Sequence, residues 1–236
     1  MKILGVDTSG RTGSVAVLEG DTVLAEVAVT STQTHAKRLM SAVDVTLEMT
    51  GIKIADCDGF AVTIGPGSFT GLRIGISTIK GLGFATSKPV TGVSTLDALA
   101  HQFPSFPHLV CPVLDARKGQ IYTALYECAG YMKWKGVVKG CAAEPKQWLK
   151  QIQRLCLFVG DGAVVYGELI REILGGLAHF APPYLNRVRA SVVAYIGMRQ
   201  ILNGQIVDVA RLAPHYIRKS DAEIKLENRG LLTKKY

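Results

Sequence analysis

A short apolar run, Phe60 to Ile64, leads into Gly65-Pro66-Gly67-Ser68-Phe69-Thr70-Gly71-Leu72-Arg73-Ile74-Gly75, which opens a helical pattern reaching about Thr86. A strand that turns through Gly-Pro-Gly into a helix belongs to an α/β protein, where the chain must reverse sharply to pack back over its sheet. The same turn can aim backbone N–H groups at an anion. A phosphate cradle and a bare chain reversal are both open readings of the turn.

The glycines continue past the turn: Gly71, Gly75, Gly81 and Gly83 all fall inside the helical stretch. Each costs about 1 kcal/mol relative to alanine in a helix interior, and four together remove about 4 kcal/mol, a large fraction of a domain's net stability. Positions 71, 75, 78, 82 and 85 share one face and read Gly, Gly, Thr, Leu, Ala. A face that small lets another backbone come close. The expectation is a tight helix–helix contact, internal or between subunits.

The chain has 236 residues, 48% hydrophobic and 19% charged, which suits one large folded domain or two small ones. A formal net charge of +8 favours a polyanionic partner. Cys57, Cys111, Cys128, Cys141 and Cys156 show no C-x-x-C spacing and form an odd set. That argues against zinc and a disulfide framework and fits a reducing cytosol. Asp7 follows a very short apolar run, so no signal peptide is expected, and no stretch nears the ~20 apolar residues of a membrane span. A soluble, cytoplasmic protein is expected, with no membrane partner.

Lys2 to Thr8, Gly13 to Glu19 and Val23 to Val29 read as strands joined by tight turns at Ser9-Gly10 and Gly20-Asp21. A helix follows from about Thr34 to Met49, its apolar Leu39, Met40, Val43 and Leu47 recurring at three and four, with Gly51 as the stop. Then come the strand Phe60 to Ile64, the glycine helix, a short strand near Pro89 to Val93 and a helix from Thr95 to His101. Phe103-Pro104-Ser105-Phe106-Pro107 is the best boundary, because two prolines break any helix there. It divides the chain into lobes at 1–104 and 105–236.

After it the pattern begins again. Leu109 to Asp115, Gln120 to Glu127 and Lys133 to Lys139 read as strands, Glu144 to Ile152 as a helix, Cys156 to Gly160 as a strand and Ala163 to Leu174 as a helix. A last helix, Ala190 to Leu202, stops at Asn203-Gly204 and is expected to pack back on the first lobe. Each half opens with a strand ending in aspartate before a hairpin: Val6-Asp7-Thr8-Ser9 and Leu114-Asp115-Ala116-Arg117. Mirrored carboxylates of this kind bracket Mg²⁺ and phosphates in duplicated ATP-binding folds; the alternative is that both merely start turns. Val159-Gly160-Asp161-Gly162-Ala163 is a second strand-to-helix glycine turn that could face such a cleft. Pro214 to Tyr236 reads as a charged, solvated tail with a docked turn around Tyr216-Ile217, and a basic end for RNA phosphates is the other reading.

Catalytic constellations are sparse. His35, His101, His108, His179 and His215 lack metal-ligand spacing, no P-loop is present, and Ser68 fits a helix cap better than a nucleophile.

Asp7-Thr8-Ser9, the eleven residues Gly65 to Gly75, Asp115-Ala116-Arg117-Lys118-Gly119-Gln120-Ile121-Tyr122 and Pro214-His215-Tyr216-Ile217-Arg218 together resemble the TsaB (YeaZ) family over essentially the whole chain. The resemblance implies an α/β, two-lobed actin/Hsp70/sugar-kinase-like (RNase H-like) fold with a duplicated β-β-β-α-β-α. It implies a role in forming N6-threonylcarbamoyladenosine (t6A) at adenosine 37 of tRNAs reading ANN codons. It also implies partners: a TsaD-like paralogue, a TsaE-like ATPase, and tRNA reached through the complex. No cofactor is implied for the chain itself, although a nucleotide at the TsaD junction is compatible with the family.

The catalytic relative TsaD carries a Val-Asn-His-Leu-Glu-x-His stretch whose two histidines hold its metal. The corresponding run here is Val93-Ser94-Thr95-Leu96-Asp97-Ala98-Leu99, with Thr95 and Leu99 in the histidine places. Leucine cannot ligate, and a lone threonine hydroxyl is a poor transition-metal ligand. The resemblance therefore implies no metal and a non-catalytic activating subunit, not an enzyme on its own.

In the family the dimer forms through the first two helices, here about Thr34 to Met49 and Phe69 to Thr86. The expected partner contacts are Leu39, Val43, Gly71, Gly75, Thr78 and Leu82, with Gly75→Leu expected to abolish TsaD binding and leave the fold intact. In isolation the same surface is expected to form a homodimer. Asp7, Thr8, Ser9, Asp115, Gly160, Asp161 and Gly162 are the nucleotide-cleft candidates. Two other readings are an ATP-binding phosphotransferase of the same fold and a metallopeptidase-like protein.

Overall fold

The computed structural model describes residues 1–31, 33–103, 105–130 and 133–218. The chain begins with an antiparallel meander, β1 (Lys2–Asp7), β2 (Thr12–Glu19) and β3 (Thr22–Thr30), over which α1 (His35–Thr50) returns. Next, β4 (Gly59–Gly65) lies parallel to β1, α2 (Phe69–Thr86) follows, β5 (Val90–Ser94) pairs parallel to β4, and α3 (Thr95–His101) leaves the sheet. The order across this sheet is β3-β2-β1-β4-β5.

The second half repeats it. Its elements are β6 (Leu109–Arg117), β7 (Gln120–Gly130), β8 (Lys133–Ala143), α4 (Pro145–Leu149), β9 (Cys156–Val159), α5 (Asp161–Val165), α6 (Gly167–Leu174) and β10 (Ala178–Phe180). The order is β8-β7-β6-β9-β10, again with two antiparallel and two parallel pairings. Sequence reading misses β10, which completes the duplication. It is three residues long, only partly buried, and too short to show alternation. The helix expected from Ala163 to Leu174 is two, α5 and α6, divided at Tyr166, and the helix expected to reach Ile152 stops at Leu149. Pro104, within the boundary segment, and 219–236 of the charged tail lie outside the described residues.

Strand periodicity sets the layers. Leu4, Val6, Val15 and Val17 point to one face of the first sheet and pack with Leu39 and Leu72 of α1 and α2. Their neighbours Ile3, Ala16 and Leu18 point to the other face, into an inner core that also holds Leu99 of α3 and Val110 and Leu157 of the second sheet. Cys111, Val113 and Phe158 alternate outward again, under Trp148 and Ile170. Both sheets are thus apolar on both faces, and the two lobes share a core. Local signals fix the helix ends: Gly51 closes α1 at φ 66°, and the Ser68 side chain caps α2 by accepting from Gly71 N.

A last helix, α7 (Ala190–Leu202), crosses the first sheet on its inner face. The approach is close. A Cβ on Gly5 would stand 2.4 Å from Ala190 O, and one on Gly197 would stand 2.3 Å from Ala61 Cβ. Glu26 of β3 fixes the start of α7, accepting from Ser191 N at 3.1 Å and from Arg189 Nη2 at 2.6 Å. Gly197→Leu is therefore expected to cost at least about 3 kcal/mol by overpacking, lowering the melting temperature by about 6–12 °C. An unchanged thermal melt would show that the helix does not dock there.

Candidate functional site

The turn after β1 is built against the start of α2. Ser68 N donates to Ser9 O at 2.7 Å, and a Cβ on Gly67 would meet the same oxygen at 2.4 Å. Thr8 is fully buried and its hydroxyl donates to Gly71 O at 2.8 Å. A Cβ on Gly71 would stand 2.0 Å from Thr8 O, and one on Gly75 would stand 2.3 Å from Thr8 Oγ1. The glycine face of α2 is thus taken by the chain's own first turn. Asp7 beside it is 2% exposed. Its Oδ1 accepts from Ser9 Oγ at 2.6 Å, Thr63 Oγ1 at 2.8 Å and Ser9 N at 3.1 Å. Burial raises the Asp7 carboxyl above the usual range, against the lowering effect of these donors. Thr63, which the sequence reading did not single out, is a hydroxyl on a buried strand, a pattern that asks for a nearby acceptor.

The second lobe brings its own candidates together. Gly160, at φ 111°, donates its N–H to Asn186 Oδ1 at 2.9 Å. Asp161 Oδ1 accepts from Asp115 N at 3.1 Å, while Asp115 Oδ1 accepts from Arg117 N at 2.8 Å. Gly162 lies where a Cβ would stand 2.8 Å from Leu114 C, so the turn seats directly on the end of β6. Burial raises the Asp161 carboxyl as well. The seven cleft candidates therefore form two local knots, one per lobe, whose polar atoms largely serve the fold.

A strap formed by residues 212–218 ties the two lobes. His215 N donates to Ile64 O at 2.7 Å, Tyr216 stacks on Phe69 at 4.6 Å, and Arg73 Nε donates to the Tyr216 hydroxyl at 2.9 Å. Three residues after His215, Arg218 Nη1 donates to Ala116 O at 3.2 Å and Gln120 Oε1 at 3.1 Å in the second lobe. The docked turn expected at Tyr216-Ile217 is this strap, and it runs beside the Gly65–Gly67 turn: a Cβ on Gly65 would meet His215 O at 2.7 Å.

The partner contacts expected on α1 and α2 need correcting. Leu39 and Val43 are buried in the first lobe's own core, and Gly71 and Gly75 are closed off by Thr8. Leu82 is half-buried against the same core and Thr78 is half-buried. The faces turned to solvent carry other residues. On α1 they include Met40, Ser41, Val45 and Met49 beside the charged Lys37, Asp44 and Glu48, and on α2 Ser77, Gly81 and Phe84 beside Arg73, with Met49 71% and Phe84 62% exposed. The signal was partial: Val45 and Met49 lie off the apolar stripe, whereas Met40, counted in the stripe from its spacing, is 46% exposed. Thr95 and Leu99 are both fully buried at α3, Leu99 within the inner core. Among the described residues no group of three or more His, Cys, Asp or Glu is placed to hold a metal, and no helix is long and apolar enough to cross a membrane.

Comparison with known proteins gives this geometry its class. The structure of YeaZ from Pseudomonas aeruginosa superposes with a TM-score of 0.77 at 24% identity, covering 91% of this chain and 99% of that one. The ethanolamine utilization protein EutJ from Carboxydothermus hydrogenoformans superposes with a TM-score of 0.54 at 12% identity, covering 84% and 90%. The fold is the two-lobed actin/Hsp70-like ATPase fold. The family model for TsaD, tRNA N6-adenosine threonylcarbamoyltransferase, matches residues 22–226. The tRNA threonylcarbamoyladenosine biosynthesis protein TsaB of Bacillus subtilis is 33% identical over 227 residues, 95% of this chain and 97% of the relative. This chain belongs to the TsaB (YeaZ) family.

Two outcomes follow. Gly75→Leu, which must displace Thr8, is expected to lose at least about 3 kcal/mol of stability in a denaturant melt. A fully stable variant would contradict the packing of Thr8. Asp7 has a folded pKa raised above its unfolded value, so its contribution is fully present below pH 3.8 and is lost as pH rises through the folded pKa. Asp7→Asn is expected to remove that loss, so mutant minus wild-type stability increases from pH 4 to 7. A flat difference would refute the raised pKa.

Proposed function

We propose that this chain is a non-catalytic subunit of t6A formation. It pairs with a TsaD-type transferase and, with a TsaE-type ATPase, supports transfer of threonylcarbamoyl to adenosine 37 of tRNAs reading ANN codons. The role in t6A rests on family membership: the Bacillus subtilis relative bears the name of a tRNA threonylcarbamoyladenosine biosynthesis protein and is matched almost end to end. The observation that carries the subunit reading is the solvent face of α1 and α2. Met40, Val45, Met49 and Phe84 are exposed there, together with the small residues Ser77 and Gly81. Exposed apolar groups on two neighbouring helices, with small residues on the second, suit a helical partner. In isolation the same face pairs two copies of the chain.

The chain works as a scaffold in this reading. At the positions of the TsaD histidines it has a buried threonine and a core leucine, so Thr95 and Leu99 hold α3 between the sheets. Nucleotide binding by the lone chain would require Asp7 to face a Mg²⁺-bound phosphate. Its Oδ1 already accepts three protein donors, so calorimetry of the isolated chain with ATP and Mg²⁺ should give no binding heat. Any nucleotide in the assembly sits at the junction with TsaD.

Met49→Asp combined with Phe84→Asp is expected to abolish co-elution with the transferase and to reduce t6A formation to the level without this chain. Both sites are exposed, so stability should change by no more than about 0.5 kcal/mol each. A full-strength heterodimer from the double variant would sink the interface. Full tRNA modification without the chain would sink the function.

A further inference from the structure

We propose that strand β8 is an RNA-binding edge, with Lys133, Lys135 and Lys139 set to contact the phosphodiester backbone. β8 is the outer strand of the second sheet, so among the described residues one row of its backbone groups has no strand partner. It is eleven residues long, and two of its register shifts against β7 fall between Thr123 and Tyr126 and bend it. All three lysines are exposed, and among the described residues none of them makes an ion pair. At about 3.3 Å per residue the lysines span roughly 20 Å.

The stretch of chain around the strand carries an excess of positive charge. From residue 115 to residue 156 the chain carries eight Lys or Arg (117, 118, 133, 135, 139, 146, 150, 154) against three Asp or Glu (115, 127, 144). Eight minus three is +5, more than half of the whole chain's +8. Each of the three acids is already engaged. Asp115 accepts from Arg117 N, Glu127 pairs with Arg154 at 2.9 Å, and Glu144 caps α4 through Lys146 N and Gln147 N. Edge lysines also keep sheets from pairing edge to edge. That purpose needs one or two charges on the strand, and it does not need every acid of this stretch held by another partner. A run of unpaired cations along an extended strand matches the regular spacing of a polyanion. The choice of RNA among polyanions rests on the t6A reading; the basic strip does not.

The test is binding of an unmodified tRNA transcript to the full chain by fluorescence anisotropy across a salt series. The lysine variant combines Lys133→Ala, Lys135→Ala and Lys139→Ala. A control variant combines Lys37→Ala, Lys53→Ala and Lys88→Ala, removing equal charge from the first lobe. Each phosphate contact contributes about 0.7–0.9 to the slope of log K against log salt. The lysine variant is expected to bind at least tenfold more weakly at low salt, with a slope shallower by about 2. The control should stay within twofold of wild type, and both variants should melt like wild type.

The proposal is overturned if wild type shows no salt-dependent tRNA binding, if the lysine variant keeps its slope, or if the control loses as much. Lysine-dependent binding of a poly-glutamate peptide in place of tRNA would assign the strip to an acidic protein. Reconstituted t6A formation separates the two ideas. If the strip binds tRNA but modification proceeds without the chain, the RNA edge stands and the proposed function falls.

Discussion

The side chain of Thr8 sits in a slot that only glycine can leave open. Its hydroxyl bonds Gly71 O, and both its backbone oxygen and its hydroxyl lie within 2.3 Å of where a Cβ would be on Gly71 or Gly75. Much of the first lobe depends on this one approach. It holds the end of β1 against the start of α2, which sets the turn at Gly65–Gly67 and places Ser68 to cap the helix. It also fixes the position of Asp7, whose carboxylate then closes on Ser9 and Thr63. The helix glycines cost about 4 kcal/mol in propensity. For Gly71 and Gly75, about half of that, the offset is a strand, a turn and a helix locked together around one threonine.

Much of the architecture was legible in the residues. Strands β1, β2, β6 and β7 announce themselves by alternation, and Gly51 and Ser68 mark helix ends where they fall. The mirrored Asp7 and Asp115 give away the duplication before any pairing is known. What did not show was direction. A 3.6-residue period tells that Leu39, Val43 and Leu47 share a stripe, yet a core stripe and a partner stripe have the same period. The small face at Gly71 and Gly75 showed that something comes close, and could not show that the visitor is Thr8 sixty-odd residues upstream. The exposed set, Met40, Met49 and Phe84, becomes readable only once the buried set has been assigned. At the cleft, sequence placed the acids at turns but could not reveal that one oxygen of each accepts from neighbouring N–H or O–H groups.

The two lobes differ in what they have kept of a common plan. Each has the same strand order, and each carries an aspartate at or near the end of its first strand. In the first, a threonine, a serine and a Gly-Pro-Gly turn fill the space around the acid. In the second, Asp161 and Gly162 do so. The strap of residues 212–218 then spans from Ile64 and Phe69 to Ala116 and Gln120. The two lobes are thus pinned together at the ends of their strands and through a shared core.

The docking of α7 on β1 has a consequence for how the chain comes into being. Gly5 meets Ala190 and Ala194, so β1 must wait for a helix about 185 residues further along the chain. Until about residue 200 has left the ribosome, Ile3, Ala16 and Leu18 have no helix over them. The first lobe is therefore first in order of synthesis but not first to be complete. Loop-closure entropy makes such distant pairings slow to form.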